Sequence, residues 1–201
     1  MNWTRAIRWT AIGTATAISC AALGLFLEWY CDQYRRTLMP WNFGVVKSNH
    51  LYRSGQMRPE HFEQMLRRHG IKTVFAFNGR QPAEERIAEQ LGVRYLYYEM
   101  PGDGKGKPPL FHEYLQIMAQ PDQRPALVHC AAGTYRTGVA VALFRMFYEG
   151  WSLDDSVREM RYYGFTMQPD VIAHVEEVFD TIPSSLRVDQ WATNDPHPTI
   201  R

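Results

Sequence analysis

Residues 126–138 read Ala126-Leu127-Val128-His129-Cys130-Ala131-Ala132-Gly133-Thr134-Tyr135-Arg136-Thr137-Gly138. The short apolar run Ala126–His129 predicts a buried strand that runs straight into a loop, and a long helix is expected from about Thr137 to Tyr148. The loop then sits at the carboxyl end of a strand, where open α/β sheets hold their ligands. Five residues separate Cys130 from Arg136. A loop of that length can curl until the backbone N–H groups of Ala131, Ala132, Gly133, Thr134 and Tyr135 converge on one point, an anion-binding nest. The helix starting beside it adds its positive end, and Arg136 offers a planar fork for two oxygens of one anion. The same field acts on Cys130. A free thiol titrates near ~8.5, and at a helix N-terminus beside Arg it falls by several units, giving a thiolate nucleophile. Gly133 lets the backbone approach the anion closely. The Thr137 hydroxyl is placed to hydrogen-bond the sulfur, and His129 is expected to orient the loop through backbone hydrogen bonds.

Outward from this stretch, strands alternate with helices. Phe43–Val46, Leu51–Ser54, Lys72–Phe77 and Val93–Tyr98 read as strands, and Pro59–His69, Ala83–Leu91, Leu110–Ala119, Leu153–Tyr162 and Pro169–Phe179 as helices, with Pro101–Pro109 a loop. The order predicts an α/β fold, a central, largely parallel sheet with helices on both faces. The expected division is an anchor and connector over residues 1–40, a catalytic domain over 41–184, and a flexible tail over 185–201. A formal net charge of +1 supplies no field for nucleic acid. Three cysteines do not make a disulfide framework. His61, His69, His112 and His174 lack metal-ligand spacing, so neither metal nor other cofactor is expected.

The stretch His129–Gly138 resembles the Cys-x5-Arg-Thr-Gly loop of the protein tyrosine phosphatase superfamily. Asn42-Phe43-Gly44-Val45-Val46, Leu51-Tyr52-Arg53-Ser54-Gly55-Gln56 and Gly70-Ile71-Lys72-Thr73-Val74 are similar to the opening of atypical dual-specificity phosphatases of bacterial, plant and fungal type. The resemblance implies hydrolysis of phosphate esters through a phosphocysteine, with phosphoproteins or small phosphorylated molecules such as inositol phosphates as substrates. It also implies an upstream acid on a mobile loop. Asp103, in Gly102-Asp103-Gly104, lies 27 residues before Cys130 and is the candidate, with Glu99 in reserve. A rhodanese-like sulfurtransferase or a non-catalytic phosphate-binding pseudophosphatase would be the alternatives. Arg136-Thr137 together with Asp103 speaks against the first, and joint retention of Cys130, Arg136 and Asp103 against the second.

Trp9–Leu27 is a run of 19 uncharged residues preceded by Arg5 and Arg8, about the length a bilayer core requires. It reads as a single-pass membrane anchor, a cleaved signal being the near alternative, and Arg5 and Arg8 lean the catalytic domain to the extracytoplasmic side. Cys20 and Cys31 are expected to be inert. Lys105 and Lys107 read as a solvated rim, and Arg53, Arg80 and Arg158 as buried structural ion pairs or plain surface positions.

Overall fold

The computed structural model describes residues 19–30 and 40–186. The chain divides into two compact units at residues 39 and 40. In the first, residues 19–30 form helix α1, on which Leu23, Leu25, Phe26, Leu27 and Trp29 are exposed. Among the described residues no helix is long and apolar enough to cross a membrane. Residues 9–18 of the expected anchor, Cys31, and residues 187–201 of the expected tail lie outside the described residues.

Among the described residues the second unit holds five strands, β1 (Gly44–Lys47), β2 (Leu51–Gly55), β3 (Thr73–Ala76), β4 (Arg94–Tyr97) and β5 (Ala126–Cys130), in the order β1-β2-β5-β3-β4. The central three pair in parallel, as does β3 with β4, while β1 runs antiparallel to β2. The sheet is therefore mixed at one edge. Only three residues part β1 from β2, too few for a parallel crossover, so the chain must turn back on itself.

Helices α2 (Pro59–His69), α3 (Pro82–Gln90), α4 (Pro108–Met118), α5 (Tyr135–Glu149), α6 (Leu153–Tyr162) and α7 (Pro169–Thr181) complete the unit. Four of them carry Pro in the first turn, where its missing N–H costs nothing. The loop expected through Pro109 therefore ends at Lys107, with Pro108 opening α4. Strand alternation sorts the core into two layers. Tyr52, Leu127 and Val74, in register across β2, β5 and β3, pack with Phe62, Met65, Leu66 and Ala88 of α2 and α3. Phe75 and Val128 face the other way and join Phe111, Val139, Leu143 and Val175 in the larger core under α4, α5 and α7. Helix α5 is buried along most of its length, consistent with its nearly uninterrupted apolar sequence.

Candidate active site

β5 ends at Cys130, and α5 begins at Tyr135, two residues earlier than the sequence suggests, with Thr134 as its N-cap. The intervening turn returns on itself through Gly133, whose φ is +69°. A Cβ at Gly133 would lie 2.5 Å from Gly55 N and 2.6 Å from Ser54 C, so only glycine fits against the end of β2.

The loop carbonyls are tied outward, one by one. Gln56 N–H donates to the Ala131 carbonyl at 3.1 Å. The Asn42 side-chain amide donates to the Ala132 carbonyl at 2.8 Å and to Thr134 Oγ1 at 3.1 Å. Arg53 Nη2 donates to the Gly133 carbonyl at 2.7 Å. Three consecutive carbonyls are thus held by donors outside the loop, which leaves the amides between them free to face inward, as in an anion nest.

Cys130 is buried at the head of this nest, and Gly133 N–H donates to its Sγ at 3.2 Å. Burial pushes the thiol up. The Thr137 hydroxyl, the Thr137 and Gly133 backbone N–H groups and the Arg136 charge together outweigh burial and hold it below its ordinary value. Thr137 Oγ1 is buried and has no other hydrogen-bond partner among the described residues. Arg136 is half-buried, its Nη1 making long contacts of 3.4 and 3.5 Å to the Phe77 and Met100 carbonyls beyond β3 and β4. Ala131 and Ala132 are exposed at the mouth. Tyr135 is half-buried, with its hydroxyl hydrogen-bonded to Thr166 Oγ1 and its ring edge-on to Phe165.

Asp103 is half-buried on the loop between β4 and α4. That loop is docked on the start of α5, because a Cβ at Gly104 would lie 3.0 Å from Val139 Cγ2 and 3.2 Å from the Tyr135 carbonyl carbon. Lys105 N–H donates to Asp103 Oδ1 at 3.0 Å, and Lys105 Nζ lies 3.3 Å from Oδ2. These contacts, the backbone one foremost, hold the carboxyl below its ordinary value. Lys105 is thus a clasp rather than a loose rim residue, with Nζ also 2.6 Å from Asp170 Oδ2. Glu99 is exposed, opposite Asn78 in an isolated β-bridge.

Two expectations change. The His129 side chain turns away from the loop: its Nε2 lies 3.2 Å from Glu84 Oε2 and its ring meets Phe62 edge-on. Position 129 shares its pleat with Ser54 and Ala76, which places it behind the nest. Among the described residues Arg53 has no carboxylate ion pair, and it is not at the surface. It is fully buried beneath Gly133. Nothing local in the segments of Asn42, Arg53 and Gln56 points to a loop 75 to 90 residues away. Arg80 and Arg158 are exposed and paired with Glu85 and Asp155. Among the described residues, no group of three or more His, Cys, Asp or Glu side chains is placed to hold a metal.

A buried thiol between a central parallel strand and a helix, with Arg136 in the first turn of that helix and the Asp103 loop docked on the helix start, is the pattern of a phosphatase class. The sequence model of the Tyrosine phosphatase family matches residues 37–194, and the chain belongs to that family of cysteine-dependent phosphatases. Among its relatives is the dual specificity protein phosphatase TpbA of Pseudomonas aeruginosa, 28% identical over 75% of this chain and 73% of that protein. The inositol diphosphatase SIW14 of Saccharomyces cerevisiae is 25% identical over 73% of this chain, which spans only 53% of that relative's length. The crystal structure of the core catalytic domain of SIW14 with citrate superposes with a TM-score of 0.63 at 26% identity, covering 72% of this chain and 90% of that one.

Proposed function

We propose that the chain hydrolyses phosphate monoesters in two steps through Cys130. The thiolate attacks phosphorus in line with the ester oxygen. The P–O bond breaks, and Asp103, protonated, gives its proton to the departing oxygen. Water then attacks the phosphocysteine, giving a proton back to the Asp103 carboxylate, and the P–S bond breaks. The Thr137 hydroxyl donates to the leaving thiolate. Arg136 and the amides from Ala131 to Tyr135 hold the equatorial oxygens through both steps. The observation that carries this reading is the outward tethering of three successive loop carbonyls around a thiol held below its ordinary value. Asp103 rests as a carboxylate, and a phosphate dianion arriving beside it disfavours that charge and raises its pKa towards the acid it must be.

The substrates we propose are phosphoproteins, on Tyr, Ser or Thr, or a small phosphorylated molecule such as an inositol phosphate. The two kinds of activity in the names of TpbA and SIW14 support this range. Turnover of a generic aryl phosphate, lost in Cys130→Ser while inorganic phosphate still inhibits the wild type, is the expected result. Thiosulfate cleavage without phosphate release would establish a sulfurtransferase, and phosphate binding without turnover a pseudophosphatase. A panel of phosphopeptides, inositol phosphates and lipid phosphates then orders the substrates.

We assign the catalytic domain to residues 41–184 and propose that Trp9–Leu27 anchors it to a membrane, with the domain on the extracytoplasmic side. The uncharged run and the flanking Arg5 and Arg8 support this. A reporter active on one side only, fused after Ile182, tests both parts. Activity confined to the soluble fraction would remove the anchor, and a cytoplasmic signal in the membrane fraction would reverse the side.

A further inference from the structure

Arg53 lies on β2, in register with Val128 of β5 and on the same face as Phe75 of β3. The side chain therefore enters the larger core, where a charge is expensive unless paired. It is fully buried, and its one hydrogen bond among the described residues is the 2.7 Å donation to the Gly133 carbonyl. Its Nε and Nη1 are buried and have no hydrogen-bond partner among the described residues. The guanidinium lies 3.7 Å from the ring centroid of Tyr163, just past the end of α6. Burial pushes its pKa down to about 10, so it keeps its charge at neutral pH. Tyr163 is pinned in turn, since a Cβ at Gly44 would lie 2.0 Å from its hydroxyl oxygen.

Gly133 is the one residue between Cys130 and Arg136 at positive φ. Glycine crosses readily between backbone basins, so the peptide joining Gly133 to Thr134 is the easiest in the loop to rotate. Rotation would aim the Gly133 carbonyl at the anion and withdraw the Thr134 N–H, converting a donor into an acceptor. Asn42 and Gln56 hold the two preceding carbonyls and leave this peptide to Arg53.

We infer that Arg53, seated on Tyr163, is a positioning residue that locks the Gly133 carbonyl outward and so keeps the Cys130 loop in its anion-binding form. Resting on the proposed role of Cys130, it adds a support for the nest that touches neither substrate nor sulfur. Loss of the lock lowers the population of the binding-competent loop. Phosphate affinity and thiolate reactivity then fall together, by the fraction of molecules with the peptide turned.

The test uses the full chain and two variants, Arg53→Met and Tyr163→Leu, each checked for folding by circular dichroism. Arg53→Met keeps the length and removes donor and charge. Tyr163→Leu acts at a half-buried position and removes only the seat. The readouts are inhibition of aryl phosphate turnover by inorganic phosphate and the pH dependence of Cys130 alkylation by iodoacetamide, the second of which needs no turnover. In Arg53→Met, phosphate inhibition is expected to weaken roughly 10- to 100-fold and the alkylation midpoint to rise, with smaller changes of the same sign in Tyr163→Leu. If Arg53→Met does not fold, Tyr163→Leu alone decides. Folded variants that keep wild-type inhibition and alkylation profiles would overturn the inference and leave Arg53 a packing residue. A wild type whose Cys130 alkylates no more readily than an ordinary thiol would instead count against the proposed nucleophile.

Discussion

At the residue scale, the chemistry rests on a few side chains whose charge states are set by what surrounds them. Asp103 is the acid in the proposed first step, and its removal should be felt in proportion to the leaving group's need for a proton. Asp103→Asn is expected to lower kcat by roughly 10²–10⁴-fold on an alkyl phosphate. On an aryl phosphate with an acidic phenol the loss should be much smaller. Equal losses on both would transfer the acid role to Glu99. Lys105 adds a pH dependence. Its ammonium and backbone N–H both hold the Asp103 carboxyl below its ordinary value. An acid works only while protonated, so this depression sets how far activity extends upward in pH. Lys105→Gln retains the backbone donor but removes the ammonium, so the Asp103 pKa should rise part of the way. The alkaline limb of the kcat profile should then move to higher pH. A limb that stays in place, or moves down, would separate Lys105 from the acid.

At the scale of elements, the decisive unit is β5, the loop and α5. The strand delivers Cys130 and the helix start delivers Arg136, but the turn between them depends on a glycine pressed against β2. Gly133→Ala would meet Gly55 N at 2.5 Å and strain a φ of +69° at once. Neither β2 nor β5 can give way, since both are central strands of the sheet. The loop itself must move. A displacement on the order of 1 Å at a reacting centre costs about 10²-fold. We therefore expect kcat/KM for an aryl phosphate to fall by at least that factor, with far-ultraviolet circular dichroism unchanged. Wild-type kinetics would mean that the nest tolerates a shifted turn.

At the scale of the whole unit, α5 and α6 are joined by a charge network behind the site. Arg145 makes a buried fork to Glu159, with Nε–Oε2 at 3.0 Å and Nη2–Oε1 at 2.8 Å, and also pairs with Glu149. Its guanidinium lies over the Trp151 ring at 4.3 Å. Removing one partner of a buried pair strands the other charge, which typically costs 3–5 kcal/mol. Because Glu149 still contacts Arg145, Glu159→Ala should destabilise by about 3 kcal/mol in urea unfolding, at the lower end of that range. Replacing Arg145 and Glu159 together with apolar residues should cost less than the single change. A single variant as stable as the wild type would show that water or Glu149 alone suffices.

The sequence by itself determined the order of elements, the placement of Cys130 between a strand and a helix, and the spacing that makes Arg136 its partner. These follow from local periodicity, prolines that open helices and glycines that end turns, and such signals act over a few residues. Which way the loop amides face was decided only by tertiary structure. Asn42, Arg53 and Gln56 reach the loop from 75 to 90 positions away, and an arginine in a short strand reads the same whether it meets water or props a carbonyl. The antiparallel edge at β1, the turning of His129 to Glu84 and the Lys105 clasp on Asp103 likewise depend on elements that meet only after folding. A chain pattern specifies which groups are present. The burial that makes a thiol, a carboxyl or a guanidinium depart from its ordinary behaviour belongs to the packed molecule.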